Sequence, residues 1–160
     1  MTHEEYMKVA LGLALKGQGR VEPNPMVGAV VVKNNRVIGR GYHQYFGGPH
    51  AEINAINSVK NPEHIKGSTL YLTLEPCSHF GKTPPCAEAI VSSGIKKVVI
   101  ASRDPNPLVR GRGIALLKKH GITDGIINLV NTADRRAVDI LLKFNDYIDL
   151  VIPRGGESLI

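Results

Sequence analysis

The residues from 68 to 101, STLYLTLEPCSHFGKTPPCAEAIVSSGIKKVVIA, predict a strand, a loop, a helix and a second strand in that order. The segment 68–74 is rich in residues that favour strands, and 98–101 is a short apolar run typical of a buried strand. Between them, two prolines and a closing glycine bracket a helix predicted over 86–93. Strands that alternate with helices favour an α/β domain.

The alternation continues on both sides of this stretch. Thr2 and Glu5 have the spacing of a helix capping box, and Asn34-Asn35 marks the turn of a hairpin. The antiparallel hairpin beside helix-linked strands predicts a three-layer α/β/α domain with a mixed sheet. The other predicted elements are an N-terminal helix with an apolar face of Tyr6, Val9, Ala10, Leu13 and Ala14, strands over 27–32 and 36–41, helices over 50–59 and 113–120, and a final strand, helix and strand over 126–130, 133–144 and 148–152.

Composition and charge exclude several classes of protein. With 160 residues, 42% of them hydrophobic, the chain is expected to form a single globular domain and not a disordered segment. It lacks an apolar run of membrane-spanning length and a secretory signal pattern, so we expect a cytoplasmic protein. Residues 1–120 hold 16 Lys and Arg against 8 Asp and Glu, whereas 121–160 hold 4 against 6. This basic surplus favours an anionic partner, either a phosphorylated small molecule or a nucleic acid.

Three short motifs carry the candidate chemistry: His50-Ala51-Glu52, Pro76-Cys77 and Pro85-Cys86. One imidazole and two thiolates suit Zn²⁺, and three protein ligands leave a fourth position open for water. Glu52 follows His50 by two residues, so it faces another side of the helix and can accept a proton from that water. Each residue alone is as easily a packing residue, but the combination predicts a zinc-dependent hydrolytic deaminase.

Four longer stretches resemble one family closely: PNPMVGAVVV, GYHQYFGGPHAEINAI, TLYLTLEPCSHFGKTPPCAEAIVSSGIKKVVIASRDPNP and GRGI. General zinc deaminases have H-x-E followed by P-C-x-x-C, but here eight residues separate the cysteines. With that wider gap, residues 6–121 resemble the deaminase domain of the bifunctional pyrimidine deaminase/reductase of bacterial riboflavin biosynthesis. The resemblance implies a cytidine-deaminase-like fold, zinc held by His50, Cys77 and Cys86, and Glu52 as the proton shuttle.

The resemblance also implies a substrate, 2,5-diamino-6-(5-phosphoribosylamino)pyrimidin-4-one, whose ring amino group is replaced by oxygen. Asn24 stands where the family contacts the pyrimidine, while His43, His79 and Lys82 are candidate contacts to the base or the ribose phosphate. Asn24, His43 and His79 could equally be ordinary loop residues, and an ordinary surface lysine is the favoured interpretation of Lys82. Glu75 is a candidate to support the metal ligands or to stabilise the fold. The family further implies a homo-oligomer, at least a dimer. It implies no membrane partner, and it disfavours nucleic acid as a partner.

The last part of the chain departs from this pattern. Residues 131–160, NTADRRAVDILLKFNDYIDLVIPRGGESLI, resemble an internal segment of γ-glutamyl phosphate reductase. The segment is too short for a dehydrogenase domain, so we expect 122–160 to complete the sheet of a catalytic core over 1–121. The junction near Gly121 would be a fusion point, and no reductase domain follows, so a second catalytic step is not expected.

Three alternatives remain open from the sequence. A cytidine or tRNA-adenosine deaminase would share the metal motif, although the wide cysteine gap disfavours both. A non-catalytic, metal-stabilised or RNA-binding module would use the basic surface and would not need Glu52. A natural or engineered chimera could keep the deaminase fold without turnover.

Overall fold

The computed structural model of the protein describes residues 1–79, 84–107 and 109–125. In these ranges, the chain forms no helix that is both long and apolar enough to cross a membrane. The helices are α1 (His3–Ala14), α2 (Ala51–Asn57), α3 (Cys86–Ser92) and α4 (Arg112–Lys119), with 3₁₀ turns at Leu15–Gly17 and Pro62–His64. The strands are β1 (Gly28–Lys33), β2 (Arg36–Tyr42), β3 (Thr69–Leu72), β4 (Lys97–Ile100) and β5 (Thr123–Gly125).

The five strands form a single mixed sheet in the order β2-β1-β3-β4-β5. The β1–β2 and β1–β3 pairs are antiparallel, whereas β3, β4 and β5 run parallel. Asn34 and Asn35 have φ values of 49° and 57°, the left-handed pair that a two-residue hairpin turn requires. The prediction of a mixed sheet that begins with a hairpin is therefore confirmed.

The apolar side chains of the sheet separate onto two faces, as the two-residue repeat of a strand demands. On β1, Val30 and Val32 pack with Tyr6 and Ala10 of α1. Ala29 and Val31 face the opposite way, into a larger core that includes residues of α2, α3 and α4. Because helices cover both faces, the predicted three-layer α/β/α arrangement is confirmed.

Glycines on two strands allow helices to lie directly against the sheet. A Cβ on Gly28 would overlap the backbone of α1 at Ala10, and one on Gly41 would overlap α2 at Ala51 and Ala55. The α1 capping box is also present, with Thr2 Oγ1 accepting from the Glu5 N–H and Glu5 Oε2 accepting from the Thr2 N–H. The close approaches at Gly28 and Gly41 place α1 and α2 on opposite faces of the hairpin.

The end of the chain bears on the prediction of a sheet-completing tail. Strand β5 begins at Thr123, three residues before the predicted start, and pairs with β4 at the sheet edge. The rest of the predicted strand over 126–130, the helix over 133–144 and the strand over 148–152 lie outside the described residues. The expected core packing of Ala137, Ile140, Leu141 and Phe144 lies outside them as well.

Candidate metal centre and active site

The segments that carry the predicted site residues meet at one end of the strands, the carboxyl end of β3. β3 ends there and leads into Cys77. Asn24 precedes β1 and His43 follows β2, and the antiparallel pairing of β1 with β2 and β3 brings both residues to this end of the strands. His50 precedes α2, which packs on the same hairpin. In α/β sheets the carboxyl ends of parallel strands are the common location of functional sites.

His50, Cys77 and Cys86 converge with their ligand atoms all within 4.8 Å of one another. His50 Nδ1 lies 3.2 Å from Cys86 Sγ and 3.7 Å from Cys77 Sγ. A tetrahedral zinc ion with ordinary bond lengths would hold a nitrogen and a sulfur ligand about 3.6 Å apart. The donor types and their separations therefore fit a zinc ion with three protein ligands.

A backbone amide and two neighbouring side chains favour negative charge on Cys77 Sγ. Cys86 is the first residue of α3, and its N–H donates to Cys77 Sγ at 3.3 Å. The hydrogen bond from the Cys86 thiol, with further help from His50, lowers the pKa of the Cys77 thiol to about 4 despite its burial. The pKa of Cys86 moves the opposite way because it retains that proton. The hydrogen bond to Cys77 likewise raises the pKa of His50. A bound metal replaces these protons.

Glu52 lies in the first turn of α2 with only 3% of its surface exposed. Burial raises its pKa to about 7, opposed by its own backbone N–H and by the charge of His50. It also contacts Cys86, so the carboxyl group lies beside the ligand cluster. A carboxyl group with a pKa near neutrality can both accept and return a proton at physiological pH.

His43 is buried between Asn24 and the segment that leads to His50. Its Nε2 lies 3.2 Å from Asn24 Nδ2 and its Nδ1 lies 3.1 Å from the carbonyl oxygen of Pro49. The His43 ring meets the His50 ring edge to face, with centroids 5.4 Å apart. The sequence predicted Asn24 and His43 as separate substrate contacts. In the structure they touch each other, and His43 also touches His50, the predicted metal ligand.

The remaining predicted substrate contacts belong to the loop between the cysteines. His79 is exposed, two residues after Cys77. Lys82 lies outside the described residues. The loop therefore begins next to a metal ligand and returns to the site at Cys86.

Glu75 connects the strand that carries Cys77 to the start of α4. Its carboxylate accepts the backbone N–H groups of Gly111 at 2.9 Å, Ile114 at 3.2 Å and Asp104 at 3.3 Å. A Cβ on Gly113 would overlap the Pro76 carbonyl, so α4 lies directly against the backbone before Cys77. Glu75 has the structural role that we expected. It accepts N–H groups at the start of α4 and holds the loop before that helix at Asp104 and Gly111.

Sequence reasoning missed Asn54, which stabilises the segment before His50. Its Nδ2 donates to the carbonyl oxygens of Tyr42 and Pro49, at 2.9 and 3.2 Å. The available signal was an asparagine inside a predicted helix, because this residue disfavours helix interiors unless its side chain has a partner. Its partners follow only from the close packing of α2 on β2.

Comparison with known proteins gives the same assignment as the geometry. Residues 1–102 match the family described as "Cytidine and deoxycytidylate deaminase zinc-binding region". The chain belongs to this deaminase family. The predicted cytidine-deaminase-like fold and zinc deaminase class are confirmed.

Within this family, the chain is similar in type to deaminases of riboflavin biosynthesis. The chain is 53% identical to the diaminohydroxyphosphoribosylamino-pyrimidine deaminase of Buchnera aphidicola subsp. Schizaphis graminum, over 74% of this chain and 79% of that protein. It is 56% identical to the riboflavin biosynthesis protein RibD of Aquifex aeolicus, over 74% of this chain and 33% of that protein. The chain thus spans about a third of the length of the RibD proteins it matches.

A solved structure agrees with the sequence matches. The diaminohydroxyphosphoribosylaminopyrimidine deaminase/5-amino-6-(5-phosphoribosylamino)uracil reductase of Thermotoga maritima is 57% identical and superposes with a TM-score of 0.71. The match covers 76% of this chain and 35% of that one. The predicted resemblance to a RibD-type deaminase domain is confirmed, whereas the resemblance of 122–160 to γ-glutamyl phosphate reductase stays a prediction.

Proposed function

We propose that this chain is a zinc-dependent deaminase that acts on 2,5-diamino-6-(5-phosphoribosylamino)pyrimidin-4-one in riboflavin biosynthesis. The observation that carries the proposal is the buried Glu52 carboxyl group beside three convergent ligands, His50, Cys77 and Cys86. The substrate follows from the named activity of the Buchnera and Thermotoga relatives. The basic surplus of residues 1–120 suits its phosphate group.

The residues present have the types and positions that the reaction needs. Zinc held by His50, Cys77 and Cys86 would act as a Lewis acid that makes a water molecule more acidic. Glu52 would accept one proton of that water while the water oxygen bonds to the ring carbon that bears the amino group. Glu52 would pass this proton to the ring nitrogen beside that carbon. It would then move the remaining proton of the added hydroxyl group to the amino nitrogen as the carbon–nitrogen bond breaks, so the products are ammonia and a ring carbonyl next to a ring N–H.

The substrate contacts belong to the same proposal. Asn24 is half-buried at the sheet edge and hydrogen-bonded to His43, so it can present its free amide atom to the pyrimidine. His43 would belong to the same recognition unit. His79 and Lys82 would approach the ribose phosphate from the loop between the cysteines, where a cationic side chain suits a phosphate.

The direct test is ammonia release from three substrates: the riboflavin precursor, cytidine and an adenosine-containing tRNA. We expect turnover of the precursor alone, in protein that holds one zinc per chain. Turnover of cytidine or tRNA in place of the precursor would contradict the proposed substrate. Stoichiometric zinc with no turnover of any of the three would favour the chimera or the non-catalytic module.

Two further parts of the proposal have tests of their own. We expect a cytoplasmic homo-oligomer, a dimer or higher. Its mass in sedimentation equilibrium should exceed the 17.3 kDa of one chain. If residues 122–160 complete the sheet, the amides of 126–130 should be protected from hydrogen exchange as strongly as those of β4. A monomeric mass or rapid exchange would remove the corresponding part without affecting the assigned reaction.

A further inference from the structure

We infer that His43 is a positioning residue that acts on the substrate through Asn24, by fixing which atom of the Asn24 amide faces the site. The inference deepens the proposed function and rests on it for the identity of the substrate. Its structural basis is the connection from the Pro49 carbonyl oxygen through the His43 ring to the Asn24 side chain. This basis does not depend on the substrate.

The tautomer of His43 follows from its partners. A carbonyl oxygen can only accept a hydrogen bond, so the contact of Nδ1 with Pro49 requires that Nδ1 carry a proton. The other ring nitrogen, Nε2, accepts, because the atom beside it is the Asn24 amide nitrogen, which can only donate. Asn24 must therefore direct its NH₂ group toward His43, as the 3.2 Å contact from Nδ2 to Nε2 shows.

The surroundings leave His43 little freedom to take another arrangement. The residue is 3% exposed, and its backbone N–H donates to the Val27 carbonyl oxygen at 2.9 Å. A Cβ on Gly17 would overlap the His43 carbonyl oxygen, so this backbone is closely packed. The Asn54 side chain also donates to the Pro49 carbonyl oxygen, which keeps that acceptor in position.

The consequence is a specific polarity at Asn24. Its backbone is fixed by the bond from its N–H to the Val21 carbonyl oxygen, so the remaining freedom is rotation of the amide. With one N–H of the NH₂ group directed to His43, the planar amide turns Oδ1 away from the ring, and Oδ1 is the acceptor left for a ligand. Asn24 would therefore recognise an N–H donor on the pyrimidine and reject a ring that presents an acceptor there. Both ring nitrogens of His43 already have protein partners, so a direct contact from this ring to the substrate is not needed.

The first test observes the tautomer and needs no substrate. In zinc-loaded protein with ¹⁵N-labelled histidine, long-range ¹H–¹⁵N correlation spectra distinguish a protonated ring nitrogen from a bare one, and the His43→Gln variant assigns the signal. We expect a protonated Nδ1 and a bare Nε2. A protonated Nε2 would reverse the Asn24 amide and overturn the inference, whatever the enzyme turns over.

The second test is a double-mutant cycle on the riboflavin precursor. His43→Asn keeps a donor near Nδ1 but loses the acceptor for Asn24, whereas His43→Gln keeps an acceptor near Nε2 and is the matched control. We expect His43→Asn to raise KM about tenfold, the value of one good hydrogen bond, with a smaller change in kcat. His43→Gln should stay closer to the parent protein.

The cycle separates action through Asn24 from direct contact. In an Asn24→Ala background, His43→Asn should raise KM no further. If the two effects multiply, His43 binds the substrate independently and the inference is wrong. If the parent protein does not turn over the precursor, the proposed function fails, and the tautomer experiment still decides the orientation of Asn24.

Discussion

A buried glutamate lies at the start of α2 and another contacts the start of α4, and the two glutamates have different environments. Glu52 and Glu75 are equally buried, at 3% exposure. Glu75 accepts three N–H groups from the start of α4 and the loop before it, so its charge is compensated by backbone dipoles. Glu52 has mainly its own backbone N–H and the nearby His50 charge, and burial dominates its pKa. Equal burial thus accompanies two environments: N–H donors converge on Glu75, which anchors α4, whereas few reach Glu52, the proposed proton carrier.

The largest expected effect is on the reactive member of the pair. Glu52→Gln keeps the size of the side chain but removes the group that carries the proton. We expect kcat for the precursor to fall about 10²- to 10⁴-fold, the usual contribution of general acid–base catalysis. Zinc per chain, measured by elemental analysis, should not change because Glu52 is not a ligand. Activity within a few-fold of the parent protein would show that the proton takes another route.

The pH dependence of stability should also separate Glu52 from other carboxylates. Its pKa is about 7 in the folded protein against 4.5 unfolded, so the folded state binds more protons between these values. Stability from this group is complete below pH 4.5 and is lost as the pH rises through 7, by about 3 kcal/mol.

The measurement compares metal-free parent and Glu52→Gln proteins by urea unfolding from pH 4.5 to 8. Because His50 and the cysteines titrate in both proteins, the difference between the two curves reports Glu52 together with its effect on the pKa of His50 and of Cys86. The parent should lose stability relative to the variant as the pH rises. A constant difference would mean that Glu52 ionises normally.

Glu75 should show the opposite pattern, with a loss of stability larger than its effect on chemistry. Glu75→Gln replaces a charged acceptor of three N–H groups by an amide whose NH₂ opposes them. We expect the free energy of unfolding to fall by about 2 kcal/mol, with a smaller loss of kcat than in Glu52→Gln. Urea denaturation and precursor turnover measure the two quantities. A variant with parental stability and abolished turnover would assign Glu75 to the chemistry.

Glu5 supplies an exposed control for Glu75. Its carboxylate also accepts a backbone N–H at a helix start, that of Thr2 at 2.7 Å, but in water. We expect Glu5→Gln to lower the free energy of unfolding by about 0.5 kcal/mol, because solvent replaces an exposed hydrogen bond readily. A loss equal to that of Glu75→Gln would mean that burial does not explain the contrast.

Much of this site was predictable because its signals are local in sequence. H-x-E at a helix start, P-C after a strand and P-C before a helix specify ligand types and their places on elements. The helix and strand order also predicted the mixed sheet and its two helical layers. The hydrogen-bond partners of Asn54 and Glu75 were not predictable in this way, because they lie on elements that meet only after folding.

The sequence by itself determined the kinds of residue at the site, the alternation of elements and the wide cysteine gap that marks the riboflavin type of deaminase. The tertiary structure decided that burial raises the pKa of Glu52, that Glu75 accepts three backbone N–H groups, and which ring nitrogen of His43 faces Asn24. The physical reason is that pKa values and hydrogen-bond polarity depend on the groups within a few ångströms in space. For Glu75 those groups lie 29 to 39 residues away, and for His43 they lie 6 and 19 residues away. For Glu52 the largest influence is burial within the folded chain.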